Sequence, residues 1–105
     1  MLVLSTWPDL PKARSAAQVL VEERLVACAN IVPSIESIYR WEGKIEASIE
    51  VLMVMKTTAS RYRALELKIK ELHTYEVPEI LSFRVDAGLP AYLAWVSESC
   101  GLESV

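Results

Sequence analysis

Residues 35–57, with the sequence IESIYRWEGKIEASIEVLMVMKT, contain the pattern that decides the fold. β-Branched and aromatic residues lead into Glu42-Gly43, a pair typical of a tight hairpin turn. After the turn, apolar and polar residues alternate, and Val51–Met55 is then apolar at every position. A strand that is apolar on both faces is expected to be buried on both faces. The segment therefore predicts a long hairpin whose second strand lies inside a sheet, with a covering layer on each side.

Helical and strand periodicities on either side of this hairpin complete the domain. Asp9 is predicted to cap the first helix, and Pro33 predicts a bulge in the first hairpin strand. The predicted elements are a strand over 1–6, a helix over 12–26, hairpin strands over 27–41 and 44–57, a helix over 58–72, a strand over 79–85 and a short helix from Pro90.

This order, β-α-β-β-α-β plus a C-terminal helix, is the ferredoxin-like sandwich of the α+β class. Both main helices would cover one face of the sheet. The other face would be bare in an isolated domain, so we expect a partner to cover it.

The size and composition of the chain favour one small domain over residues 1–105 that associates with other chains. Its 105 residues allow a single domain, and 52% of them are hydrophobic. A chain of this length buries only roughly 60–70% of its unfolded surface when it folds alone. The apolar fraction is therefore a weak indication that another subunit covers part of the surface.

Charge, hydropathy and cysteine content exclude several classes of partner. The net charge of −3 argues against nucleic acid, whose binding depends on clustered Lys and Arg. The longest apolar run, Val51–Met55, is far shorter than the roughly 20 residues that span a bilayer, so no membrane segment is predicted. The two cysteines, Cys28 and Cys100, lie far apart in sequence, which favours free thiols in a reducing cytoplasm.

Five stretches of the chain, in order, match a known protein family. They are VEERLVACANIVP at 21–33, SIYRWEGKI at 37–45, KTT at 56–58, HTYEVPEI at 73–80 and YLAW at 92–95. Together they resemble the CutA family of divalent-cation tolerance proteins over nearly the whole sequence.

The resemblance implies a ferredoxin-like protomer in a tight homotrimer, similar in architecture to the PII signalling proteins. Hairpins would pair between subunits, and open sheet faces would line a shared core. The residues assigned to this interface are Tyr39, Trp41, Val51, Met53 and Met55. The resemblance also implies a cytoplasmic, non-enzymatic protein that responds to metal ions, with no required cofactor and with copper or another divalent cation as a possible ligand.

The candidate metal ligands are Cys28, His73, Glu76, Glu79 and Asp86, because soft divalent cations prefer thiolate, imidazole and carboxylate groups. Three of them have a purely structural alternative. Cys28 is suited to packing at a helix–strand junction, His73 to the C-terminal end of a helix, and Asp86 to a turn. Where the family's copper site is described with a Cys at the end of the first strand, this sequence has Ser5.

Two further functions compete with the metal-response hypothesis. Lys56 and Tyr75 could line a cleft between subunits, as in a PII-like sensor of small molecules or nucleotides, although no Gly-rich phosphate loop is present. An acylphosphatase-type enzyme would need an Arg-bearing, Gly-containing loop after the first strand. The chain has Thr6-Trp7-Pro8-Asp9 at that place.

Overall fold

The computed structural model describes residues 1–101 and contains the predicted order of elements; the last four residues of the predicted domain lie outside the described range. The elements are β1 Leu2–Trp7, α1 Leu10–Glu22, β2 Cys28–Trp41, β3 Lys44–Lys56, α2 Ala59–Leu72, β4 Ile80–Phe83 and α3 Pro90–Ser99.

The four strands form one antiparallel sheet in the order β2-β3-β1-β4, which confirms the α+β class. β1 lies inside the sheet, where Val3 pairs with Met55 and Trp7 pairs with Val51. Side chains on this face of β1 and β3 pack with the buried residues of α1 and α2 in a single core. The two helices therefore cover one face of the sheet, as the sequence predicted.

The first helix begins with a defined cap and ends earlier than predicted. The Asp9 carboxylate accepts a hydrogen bond from the backbone N–H of Lys12 at 2.9 Å, which confirms Asp9 as the N-cap. The predicted end near Val26 is wrong, because Arg24 has a φ of 58° and takes the chain out of the helix. Leu25 and Val26 remain buried in the core as part of the connection to β2.

The long hairpin has the predicted turn and the predicted bulge. Glu42 and Gly43 have φ values of 49° and 78°, the positive pair required by a tight turn that matches strand twist. The register of β2 against β3 shifts between Val32 and Ile35, on either side of Pro33. The molecule is 51 Å long, and residues 35–50 form a two-stranded arm beyond the helix-covered core.

The burial of β3 corrects the predicted interface. Val51 is 3% exposed, and Met53 and Met55 are 0% exposed, because all three pack under the helices of their own protomer. They have no surface left for a second subunit, so their assignment to a subunit interface is wrong. Since side chains alternate along a strand, the residues of β3 on the open face are Leu52 and Val54, which are half-buried.

Candidate functional site

The open face of the sheet carries a continuous apolar surface. Leu52 and Val54 of β3 lie near the middle of this face. On β4, Leu81 is 50% exposed and Phe83 is 48% exposed, and the two pair with Leu4 and Leu2 of β1. An apolar area that extends across neighbouring strands is typical of a binding surface rather than of a solvated one.

The hairpin arm is apolar on both of its sides. Ile45 and Ile49 lie on one side, and Tyr39 and Trp41 of the predicted interface lie on the other. Trp41 is 63% exposed at the tip, and the two isoleucines are exposed to a similar extent. A two-stranded ribbon has marginal stability alone, so the arm needs contact with another surface.

An aromatic cluster closes the opposite end of the core, where β1 ends. The rings of Trp7 and His73 stack with centroids 4.3 Å apart, and Tyr75 packs on His73 at 4.6 Å. His73 Nε2 donates to the carbonyl of Thr6 at 2.7 Å, and His73 Nδ1 accepts from the backbone N–H of Tyr75 at 3.0 Å. Both ring nitrogens are therefore used inside the protomer, and a metal ion at His73 would have to displace one of these hydrogen bonds.

Tyr75 connects this cluster to the base of the hairpin arm. Its hydroxyl donates to Glu50 Oε2 at 2.8 Å. Burial, the hydrogen bond and the Glu50 charge together raise the pKa of Tyr75 from 10.0 to about 12. Because the folded-state pKa is the higher one, this contribution to stability is complete below pH 10.0 and is lost as the pH rises through about 12.

Replacement of Glu50 by Gln is expected to lower the pKa of Tyr75 part of the way back towards 10.0, because the negative charge is removed while burial remains. The measurement is an ultraviolet absorbance titration of tyrosinate, with Tyr75→Phe subtracted to isolate this residue. Glu46→Gln, on the same strand of the arm, is the matched control and should leave the titration unchanged. An unchanged titration in Glu50→Gln would show that the charge has no part in the shift.

A cluster of an ammonium, an amide, a thiol and a phenol lies at the C-terminal end of β3. Lys56 is paired in register with Cys28, and its ammonium donates to the side-chain carbonyl of Asn30. The Cys28 thiol is 3.9 Å from the hydroxyl of Tyr92 on α3. This contact, with a smaller effect of burial, raises the pKa of Tyr92 above its usual value. The phenol therefore keeps its proton at neutral pH.

The predicted metal ligands are not brought together within one protomer. Cys28 lies where β1 begins, and His73 lies where β1 ends. Glu76, Glu79 and Asp86 are exposed. Among residues 1–101, no three His, Cys, Asp or Glu side chains are placed to hold an ion, so the described residues of a single protomer do not fit a closed metal site.

The two predicted cleft residues are also separated. Tyr75 bonds to Glu50, and Lys56 lies six residues further along β3, about 20 Å at the usual rise of a strand. Trp7, Asn30 and Tyr92 contact the candidate residues, and no pattern in the sequence indicated these contacts. Trp7 lies directly opposite the buried Val51. A predicted pairing of β1 with β3 would therefore have placed Trp7 on the core face of the sheet.

Comparisons with known proteins identify the family. A family model described as CutA1 divalent ion tolerance protein matches residues 1–99. The Divalent-cation tolerance protein CutA of Thermus thermophilus is 45% identical over 100 residues, which cover 95% of this chain and 97% of that protein. The chain belongs to the CutA family. The resemblance seen in the sequence is thereby confirmed, and the bacterial CutA relatives are named for tolerance of divalent cations rather than for a catalysed reaction.

Solved CutA structures have the same fold. The Thermus thermophilus protein aligns with a TM-score of 0.93 at 45% identity, covering 95% of this chain and 97% of that one. The CutA of Archaeoglobus fulgidus, described as periplasmic, aligns with a TM-score of 0.92 at 35% identity over 95% of this chain and 97% of its own.

Some CutA relatives are longer than this chain. Protein CutA of Mus musculus is 45% identical over 93 residues, which are 89% of this chain but 52% of the mouse protein. The chain therefore spans about half the length of that relative. Within residues 1–101, no helix is both long and apolar enough to cross a membrane.

Proposed function

We propose that this CutA protein is a non-enzymatic homotrimer with a PII-like arrangement of ferredoxin-like protomers, and that it acts in the cellular response to divalent cations. The observation that carries the trimer is the exposed apolar surface formed by the open sheet face and the two-sided arm. Three copies related by rotation would cover the open faces around a common axis, and the arms would reach neighbouring subunits. Exposure of this surface in a free protomer would favour aggregation.

The metal part of the proposal follows from the family and from the chemistry of the candidate ligands. Copper is the expected ion, since the available groups include a half-buried thiol at Cys28 and exposed carboxylates at Glu76, Glu79 and Asp86. Because one protomer does not assemble three of them, we place the ion where subunits meet. The proposed location is the cytoplasm, which agrees with two free cysteines.

Calorimetric titration of Cu²⁺ into the assembled protein at neutral pH tests the metal part. We expect saturable binding that weakens in Cys28→Ser, because a thiolate is the softest ligand available. Cys100→Ser is the matched control, since the Cys100 thiol is 2% exposed and packs against Thr57. If the wild-type protein gives no binding heat, the copper assignment is wrong. If Cys28→Ser binds Cu²⁺ as the wild type does, Cys28 is not a ligand of the ion.

A second candidate function is the sensing of small molecules or nucleotides. The observation that favours it is Lys56, whose ammonium contacts a neutral amide rather than a carboxylate. A ligand that binds only the folded protein raises its melting temperature, so a thermal-shift series with ATP and ADP tests the nucleotide form of this candidate. The absence of any shift would eliminate nucleotides as ligands.

A further inference from the structure

A small cavity lies between α3, the start of β1 and the loop that follows β4. Its volume is about 220 Å³. Its apolar walls include Leu2, Val85, Leu93 and Val96, and its polar groups are the side chains of Lys56 and Tyr92. The cavity is smaller than the roughly 300–1,000 Å³ of pockets for drug-sized ligands. Its size therefore suits a ligand with only a few carbon atoms.

The charge of Lys56 has no anionic partner within the described part of the chain. Its ammonium donates to Asn30, and the ion pairs found among residues 1–101 involve other cations. Cys28, opposite Lys56 in the sheet, contacts Tyr92 instead. An ammonium beside apolar walls is more stable with a charged acceptor than with a neutral one. The cavity is thus complementary to one negative charge attached to a hydrocarbon group.

We propose that this cavity binds a small aliphatic monocarboxylate, with the carboxylate on the Lys56 ammonium and the hydrocarbon chain against Leu2, Leu93 and Val96. The Tyr92 hydroxyl supplies a second hydrogen-bond donor at the same opening. Met1 also lines the cavity, but its α-ammonium donates to the Thr57 carbonyl at 3.1 Å, so Lys56 supplies the charge for the ligand. One such charge favours a carboxylate over a phosphate dianion. The proposal deepens the small-molecule candidate above and rests on it. All the groups that it uses belong to one protomer: Leu2 and Lys56 lie at the end of the open face over which α3 of the same protomer packs, so the cavity is bounded by α3 rather than by a neighbouring subunit.

Titration calorimetry with hexanoate, using the intact protein, tests this site. We expect saturable binding of hexanoate, and about tenfold weaker binding of hexan-1-ol, which has the same chain length but makes no charge-assisted hydrogen bond. Lys56→Met should weaken hexanoate binding about tenfold for the same reason. Lys12→Met is the matched control and should bind like wild type, because Lys12 is on the surface in an ion pair with Asp9.

A second variant tests the cavity without touching the charge. Val85→Phe places a larger side chain in the wall and should abolish binding of both probes, while circular dichroism remains that of the folded protein. This variant decides the question if Lys56→Met fails to fold. The proposal is overturned if wild type shows no saturable hexanoate binding, or if either folded variant binds hexanoate as wild type does. Assembly and copper binding are measured separately, so such a failure would leave the trimer and metal proposals standing.

Discussion

Replacement of Leu81 by Asp is expected to dissociate the proposed homotrimer. In the free protomer this side chain is 50% exposed on the open face of β4, where a carboxylate can stay hydrated. In the trimer the same position would be covered by apolar groups of neighbouring subunits, and the penalty for burying an unpaired charge is several kcal/mol. The penalty would apply once per subunit. Light scattering should therefore show the mass fall from three times 11.8 kDa to 11.8 kDa.

A matched substitution separates assembly from general damage by the new charge. Leu67 lies on α2 and is 56% exposed, so Leu67→Asp introduces the same charge on the helix side of the domain. This control should keep the wild-type mass. A wild-type protein that itself measured 11.8 kDa would contradict the trimer, and a Leu81→Asp protein of wild-type mass would show that the open face is not the interface.

The order of elements could be predicted from the sequence because the signals that set it are local. The alternating hairpin strands, the cap at Asp9 and the turn at Glu42-Gly43 depend on residues close to one another in the chain. The end of α1 could not be predicted in the same way. It depends on the positive φ of Arg24, a residue type that is common inside helices.

The two faces of β3 could not be told apart from the sequence. Val51–Met55 is apolar throughout, so its own pattern does not say which side chains face the helices. That choice is set by pairing with β1, which brings Val51 opposite Trp7 and Met55 opposite Val3. Periodicity predicted that the strand would be covered on both faces, but the side assigned to the subunit interface was the wrong one.

The candidate site was harder to predict than the fold because its contacts are long-range. His73 donates to the carbonyl of Thr6, 67 residues away, and Tyr75 reaches Glu50 on the hairpin. A backbone carbonyl has no signature in the sequence, so nothing indicated that His73 was already fully hydrogen-bonded. The ligand chemistry of the side chains placed His73 in one site with the carboxylates near it in sequence. In the structure, the hydrogen bonds of His73 instead connect β1 to the segment after α2.

Replacement of Met53 by Ala is expected to lower the free energy of unfolding by about 2–5 kcal/mol, because the side chain is 0% exposed and its loss leaves a cavity beneath both helices. Denaturant unfolding at one fixed protein concentration measures this, since the stability of an oligomer depends on concentration. Leu67→Ala removes a comparable apolar side chain from a surface position and should change stability by no more than about 0.5 kcal/mol. The mass of the assembly in the absence of denaturant should remain that of wild type. If Met53→Ala were instead as stable as Leu67→Ala but formed an assembly of smaller mass, the substitution would have weakened association rather than the protomer core. Met53 would then belong to the subunit interface.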